Sequence, residues 1–211
     1  SLESCKLPDS VEKIDSLYAS PTFKRCSKLK EVVLPVGIET IGHSAFYECT
    51  ALETVRNTED ISKIDSYAFF GCTKLERFQL SDVKIDTNSF WDCKKWANNI
   101  GLIIINDAII DTLDHLPQEI EVPSNVKIVG EEAFHSRTCV HRIVLPDGLI
   151  EIGKRAFARC MNLCEINIPS SVKSIGTDAF SYAVSLEKIE IPKTTKVMKA
   201  FENCKTVVNR V

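Results

Sequence analysis

Pro123, Pro146, Pro169 and Pro192 stand 23 residues apart, each directly after an aliphatic side chain: Val122, Leu145, Ile168 and Ile191. The same phase recurs at Leu34-Pro35 and, with four residues inserted, at Leu7-Pro8. A second ladder keeps step: Ala45-Phe46, Ala68-Phe69, Ala133-Phe134, Ala156-Phe157, Ala179-Phe180 and Ala200-Phe201, with Ser89-Phe90 as a variant. Between them lies a third, Ile41-Gly42, Val129-Gly130, Ile152-Gly153 and Ile175-Gly176, blurred to Ile64-Asp65. A fixed period of this length marks a solenoid, in which a unit too small to cover its own apolar face is covered by the next. It predicts about eight coils, beginning near Leu2, Leu29, Leu52, Leu75, Pro117, Val140, Leu163 and Leu186.

Each coil has the same grammar. Residues 163–169 read Leu-Cys-Glu-Ile-Asn-Ile-Pro, with Ile166 and Ile168 pointing in and Glu165 and Asn167 pointing out. That alternation is the signature of a half-buried strand, and proline, with no N–H for the ladder, ends it. A second apolar pair follows, then Ala-Phe in a tight turn, helical or 3-10, that drops one small and one large side chain into the core.

The repeated string Leu-x-x-Ile-x-Ile-Pro-x-x-Val-x-x-Ile-Gly-x-x-Ala-Phe-x-x-Cys resembles the BspA-like, treponemal-type class of leucine-rich repeats, and the resemblance covers nearly the whole chain. It implies an α/β solenoid: a curved, right-handed leucine-rich repeat stack with short parallel strands on one side. It also implies a secreted or cell-surface protein, since some members of the class are adhesins. The sequence departs from the pattern in places. Residues 52–96 lack the proline, the stretch 75–90 is two residues short, and residues 97–116 do not fit. Two apolar runs flank Asn106-Asp107 there, a hairpin-like signal. The expectation is therefore a single domain over 1–211 with a hairpin-like insert near 97–116. Neither end carries a polar capping element, which points to a fragment of a longer chain or to end-to-end self-association.

Composition narrows the function classes. Lys plus Arg number 26 against 29 Asp plus Glu, and no basic block offers phosphate-neutralising surface, so nucleic acid is not an expected partner. Apolar runs such as 102–105 fall far short of the ~18 residues that span a bilayer. Phosphate-binding loops, dinucleotide fingerprints, zinc-protease motifs and nucleophile elbows are all missing, so no enzyme and no cofactor are expected.

Six of the nine cysteines lie three residues after a repeat phenylalanine: Cys26, Cys49, Cys72, Cys93, Cys160 and Cys204. Such a ladder reads as buried free thiols packed as small apolar groups. Disulfides between stacked coils are the alternative, because the ~4.8 Å strand spacing suits their Cα range, although in-register side chains suit their torsion poorly. His135, Cys139 and His141 invite a zinc reading, but the fourth ligand would have to come from Cys160 or Cys164, and surface histidines are the plainer account.

Partner surfaces are sought at positions that the repeat leaves free. One outward strand column includes Arg77, Glu119, Arg142, Glu165 and Lys188, whose signs alternate. It reads either as a solvated salt-bridge ladder or as a docking face. The position after the repeat phenylalanine holds Tyr47, Phe70 and Trp91, then His135, Ala158, Ser181 and Glu202. Exposed, those aromatics form an interaction patch that Tyr67 and Trp96 extend; leaning on neighbouring turns, they only close gaps. The favoured function is a noncatalytic module binding a protein or glycan. A rigid spacer and an intracellular scaffold, which suits free thiols better, are the alternatives.

Overall fold

The structure is a computed structural model describing residues 2–11, 14, 23–80 and 83–211. Ser1 and most of the first coil's inserted segment lie outside the described residues. The chain divides into two compact units, 1–98 and 99–211, with the boundary inside the stretch that departs from the repeat.

In the first unit the strands are β1 (Ser4–Lys6), β2 (Glu31–Val33), β3 (Thr40–Ile41), β4 (Thr54–Arg56), β5 (Lys63–Ile64) and β6 (Lys84–Ile85). They form two parallel sheets, β1-β2-β4 and β3-β5-β6. Register follows the repeat: Ser4 faces Glu31, Glu31 faces Thr54, and Ile41 faces Ile64. The second apolar pair of each coil is thus a strand in its own right, and parallel strands run along two sides of the coil rather than one. Residues 75–80, in the shortened coil, make no strand.

The second unit opens with an antiparallel hairpin, β7 (Leu102–Ile105) and β8 (Ala108–Thr112), turning at Asn106 and Asp107, both with positive φ. Its remaining strands are β9 (Glu119–Glu121), β10 (Ile128–Val129), β11 (Arg142–Val144), β12 (Glu151–Ile152), β13 (Glu165–Ile166), β14 (Ser174–Ile175), β15 (Lys188–Ile191), β16 (Lys196–Val197) and β17 (Val207–Arg210). The hairpin does not bulge away from the stack. It joins it, because β8 pairs in parallel with β10 at the head of a sheet running on through β12, β14 and β16. Apolar runs on both sides of its turn allow it to supply the core with Leu102 and Ile109, both fully buried.

The expected helical turns are not there. Among the described residues one short 3-10 turn occurs, Lys94–Trp96. Elsewhere the turns around the repeat phenylalanines from Phe46 on have left-handed backbone two residues before and two residues after the ring: Ser44 and Glu48, Glu132 and Ser136, Arg155 and Arg159, Asp178 and Tyr182. A right-handed helix cannot pass through such residues, and each non-glycine there costs about 1–2 kcal/mol. The compensation is a ladder between coils. The amides of Arg155, Phe157 and Arg159 donate to the carbonyls of Thr177, Ala179 and Ser181 at 3.0, 2.8 and 2.7 Å, while Ala156, Ala158 and Cys160 close local turns to Gly153, Arg155 and Phe157. Alternate N–H groups therefore serve the neighbouring coil, which a helix would not permit.

Stacked phenylalanines fill the interior. Phe23, Phe46, Phe69 and Phe90 stand 5.3 Å apart in the first unit, and Phe134, Phe157, Phe180 and Phe201 stand 5.2–5.3 Å apart in the second. The glycine ladder has a steric cause. A Cβ on Gly153 would sit 2.7 Å from the Glu131 amide nitrogen, and one on Gly176 would sit 2.5 Å from that of Lys154.

Candidate functional site

The cysteine ladder belongs to the scaffold. Cys49, Cys72, Cys93 and Cys160 donate Sγ–H to the carbonyls of Phe23, Phe46, Phe69 and Phe134, one coil earlier, at 2.8, 3.1, 3.1 and 3.0 Å. All nine cysteines are free thiols. Burial pushes the Cys49 and Cys160 thiols up to about 12 and Cys72 well above its ordinary value, which holds them in the donating, unreactive form. At the suggested zinc cluster, His141 Nδ1 lies 3.0 Å from the Cys139 carbonyl and His135 Nδ1 lies 3.1 Å from Ser136 Oγ. The described residues contain no group of three or more His, Cys, Asp or Glu side chains placed to hold a metal.

The sheet-face column is brought together only in part. Arg142 lies between Glu119 and Glu165 in register, with N···O distances of 3.8 and 3.2 Å. Lys188 turns instead along its own strand to Glu190, at 2.8 Å. Arg77, outside any strand, donates to the Trp96 carbonyl. Similar exposed pairs join other coils: Lys30 with Glu3, Arg56 with Glu31, and Lys154 with Glu131. Pairs of this kind contribute about 0–1 kcal/mol each.

The aromatic column forms one stack on the turn edge of the first unit. Tyr47 lies over Phe70 at 4.7 Å and 3°, and Phe70 over Trp91 at 4.5 Å and 15°. The 23-residue register sets this geometry, since the position after the core phenylalanine points outward from a turn hydrogen-bonded to the next. All three rings are half-buried. Lys24 Nζ caps the Tyr47 face at 4.7 Å, and Tyr67 leans on Phe70 at 5.8 Å and 53°. Trp96 does not extend the patch. It is 4% exposed, packed against Phe90 at 4.3 Å and Phe78 at 4.9 Å in the core.

Sequence reasoning missed the equivalent edge of the second unit, where Ala158 and Ser181 stand in place of rings. An open groove of about 260 Å³ lies above them. The signal was present in the same column, where ring residues give way to small ones.

The BspA type leucine rich repeat region matches this sequence in six copies, over residues 1–110 and 114–209. The chain belongs to the BspA-type leucine-rich repeat family. Among solved structures it is similar to a leucine rich cell surface protein from Faecalibacterium prausnitzii A2-165, at 25% identity and a TM-score of 0.51, covering 94% of this chain and 64% of that one. This BspA-type chain is also similar to the pneumococcal vaccine antigen PcpA, at 19% identity and a TM-score of 0.55, covering 97% and 68%. No curated protein matches it significantly. No helix among the described residues is long and apolar enough to cross a membrane.

Proposed function

We propose that this chain is a noncatalytic interaction module of a cell-surface or secreted protein, and that the turn edge of its first unit contacts a protein partner. The observation that carries the reading is the Tyr47–Phe70–Trp91 stack. The core of these coils is already filled by Phe46, Phe69 and Phe90, each fully buried, so the outer rings are not needed to close it. Three large rings kept in register and half-open to solvent form the kind of apolar surface that partners use. Their faces are engaged with one another, which leaves ring edges for contact and disfavours a flat platform for sugars. The cell-surface description of the Faecalibacterium protein supports the location.

The test is capture from cell-surface and extracellular-matrix protein extracts by the immobilised chain, beside a Tyr47→Ala, Phe70→Ala, Trp91→Ala variant checked by circular dichroism. Each lost ring pair removes about 0.5–1.5 kcal/mol of local packing, which leaves the buried phenylalanine column in place. The expected result is a protein retained by the parent and reduced tenfold or more by the folded variant. Equal capture by both removes the aromatic edge as the contact surface, and capture by neither moves the function to a rigid spacer.

A further inference from the structure

We propose that the turn edge of the second unit binds a neutral pyranose ring of a glycan, in the groove above Ala158 and Ser181. The inference rests on reading the chain as an interaction module but uses a different site from the aromatic stack. In the first unit this column is filled by the protein's own rings, 4.5–4.7 Å apart. In the second unit the same register places Ala158 and Ser181 there, 2% and 6% exposed, as a floor. The space of about 260 Å³ over that floor exceeds the ~150 Å³ void that accepts a benzene molecule. It therefore accommodates a six-membered ring.

The lining selects the kind of ring. Ser181, more than nine-tenths buried as a residue, lines the groove with its hydroxyl open to it. The walls come from the left-handed positions, Arg155 and Asp178 on one side and Arg159, Tyr182 and Asn203 on the other, with His135 and Glu202 completing the lining. The side chains of Asp178, Glu202 and Asn203 have no partner among the described residues. Arg155 is already paired with Glu132. Donors and acceptors thus stand side by side around the floor, and with Arg155 committed to Glu132 the Arg159 guanidinium stands among the Asp178 and Glu202 carboxylates. Such a rim suits the hydroxyls of a neutral sugar, each of which both donates and accepts. An inserted phenyl ring would strip water from the carboxylates without replacing it, and an anion would meet them directly. The Tyr182 ring, 43% exposed, also lines the groove, with the Arg159 guanidinium over it at 5.5 Å from its centroid.

The test is saturation-transfer NMR with the methyl glycosides of glucose, galactose, mannose and N-acetylglucosamine, together with an array of neutral glycans. The intact chain is compared with Ala158→Phe/Ser181→Phe, which rebuilds the upstream ring stack inside the groove, and with Asp178→Asn/Glu202→Gln, which changes only wall groups. The expected result is transfer to at least one glycoside with a dissociation constant of about 1 mM, abolished in the filled variant and weakened about tenfold or more in the wall variant. Should the filled variant fail to fold, the wall variant decides. No transfer and no array binding by the parent, or binding unchanged in the wall variant, overturns the assignment. The Tyr47, Phe70 and Trp91 variant retains sugar binding if both proposals hold, so failure of one is distinguishable from failure of the other.

Discussion

Replacing Phe157 by alanine is expected to remove about 3–5 kcal/mol of stability, the range for deleting a buried aromatic ring. Phe157 is fully buried and lies between Phe134 at 5.2 Å and Phe180 at 5.3 Å, so the substitution breaks two ring contacts and opens a void in the middle of the second unit. The turn around it cannot collapse to fill the space. Its backbone is held by hydrogen bonds to the coil on the far side, including Phe157 N–H to the Ala179 carbonyl at 2.8 Å. Because each coil is covered only by its neighbours, the loss falls on both adjoining interfaces. Phe201 is the internal control: it stacks on Phe180 but remains half-buried, and Phe201→Ala should cost clearly less. Urea unfolding followed by circular dichroism measures both. A loss below about 1 kcal/mol for Phe157→Ala would mean that the phenylalanine column is not what holds the coils together.

Arg137→Ala is expected to cost about 3–5 kcal/mol above neutral pH, as when a buried ion pair loses one partner, and much less at pH 5. Arg137 ties the hairpin to the coil that follows. Its Nε donates to Thr112 Oγ1 at 2.8 Å, one terminal nitrogen donates to the Thr112 carbonyl at 2.6 Å, and the guanidinium lies 3.6 Å from Asp111 and 3.2 Å from Asp114. Asp111 is 2% exposed, and its Oδ2 has no hydrogen-bond partner. Burial pushes its carboxyl up to about 7, with the charges of Asp114 and Glu132 adding to the rise; the Thr112 amide and Arg137 oppose it.

The sign of the pH dependence follows. Between about pH 4 and pH 7 the folded state holds a proton on Asp111 that the unfolded chain releases, so the contribution of Asp111 to stability falls as pH rises through that window and levels off above it; His135, held below its ordinary value by burial, acts in the opposite direction. A rise of that size corresponds to a few kcal/mol. This is the reverse of an ordinary salt-bridged carboxylate. Asp111→Asn should remove that falling contribution, and Arg137→Ala should carry it beyond pH 7 by removing the charge that tolerates the ionised form. Thermal unfolding of the three proteins from pH 4 to pH 8 reads this out. The stability of the parent relative to Asp111→Asn should fall as pH rises, and a difference that stays constant or grows across the window would contradict it.

The period, the coil starts and the core columns were legible from residue spacing because each inward position recurs with the same chemistry at the same phase. The turn conformation was not. Residues at the left-handed positions are as varied as Ser44, Glu48, Arg155 and Tyr182, and Gly71, Asn88 and Asn203, which favour that region, are scattered among them, so propensity suggested a helix that the cross-coil ladder forbids. The second sheet was missed because two-residue strands such as Ser174–Ile175 are too short to alternate. Trp96 looked like part of the aromatic patch by proximity along the chain, but the short coil before it leaves room for its indole beside Phe90. On the sheet face, alternating signs foretold the Glu119–Arg142–Glu165 ladder. Lys188 broke the pattern because Glu190, two positions along the same face, lies within its reach. The groove over Ala158 and Ser181 is defined by side chains that are small, and spacing arguments look for large ones.

The most direct measurement is amide hydrogen exchange on the chain alone and in complex with the protein it retains from surface extracts. Slowed exchange concentrated in the turns at 43–48, 66–71 and 88–92, with the strands of the sheet face unchanged, is the expected result. Slowed exchange confined to the strands around Arg142, or none in the first unit, would contradict the assignment of the partner surface to the aromatic edge.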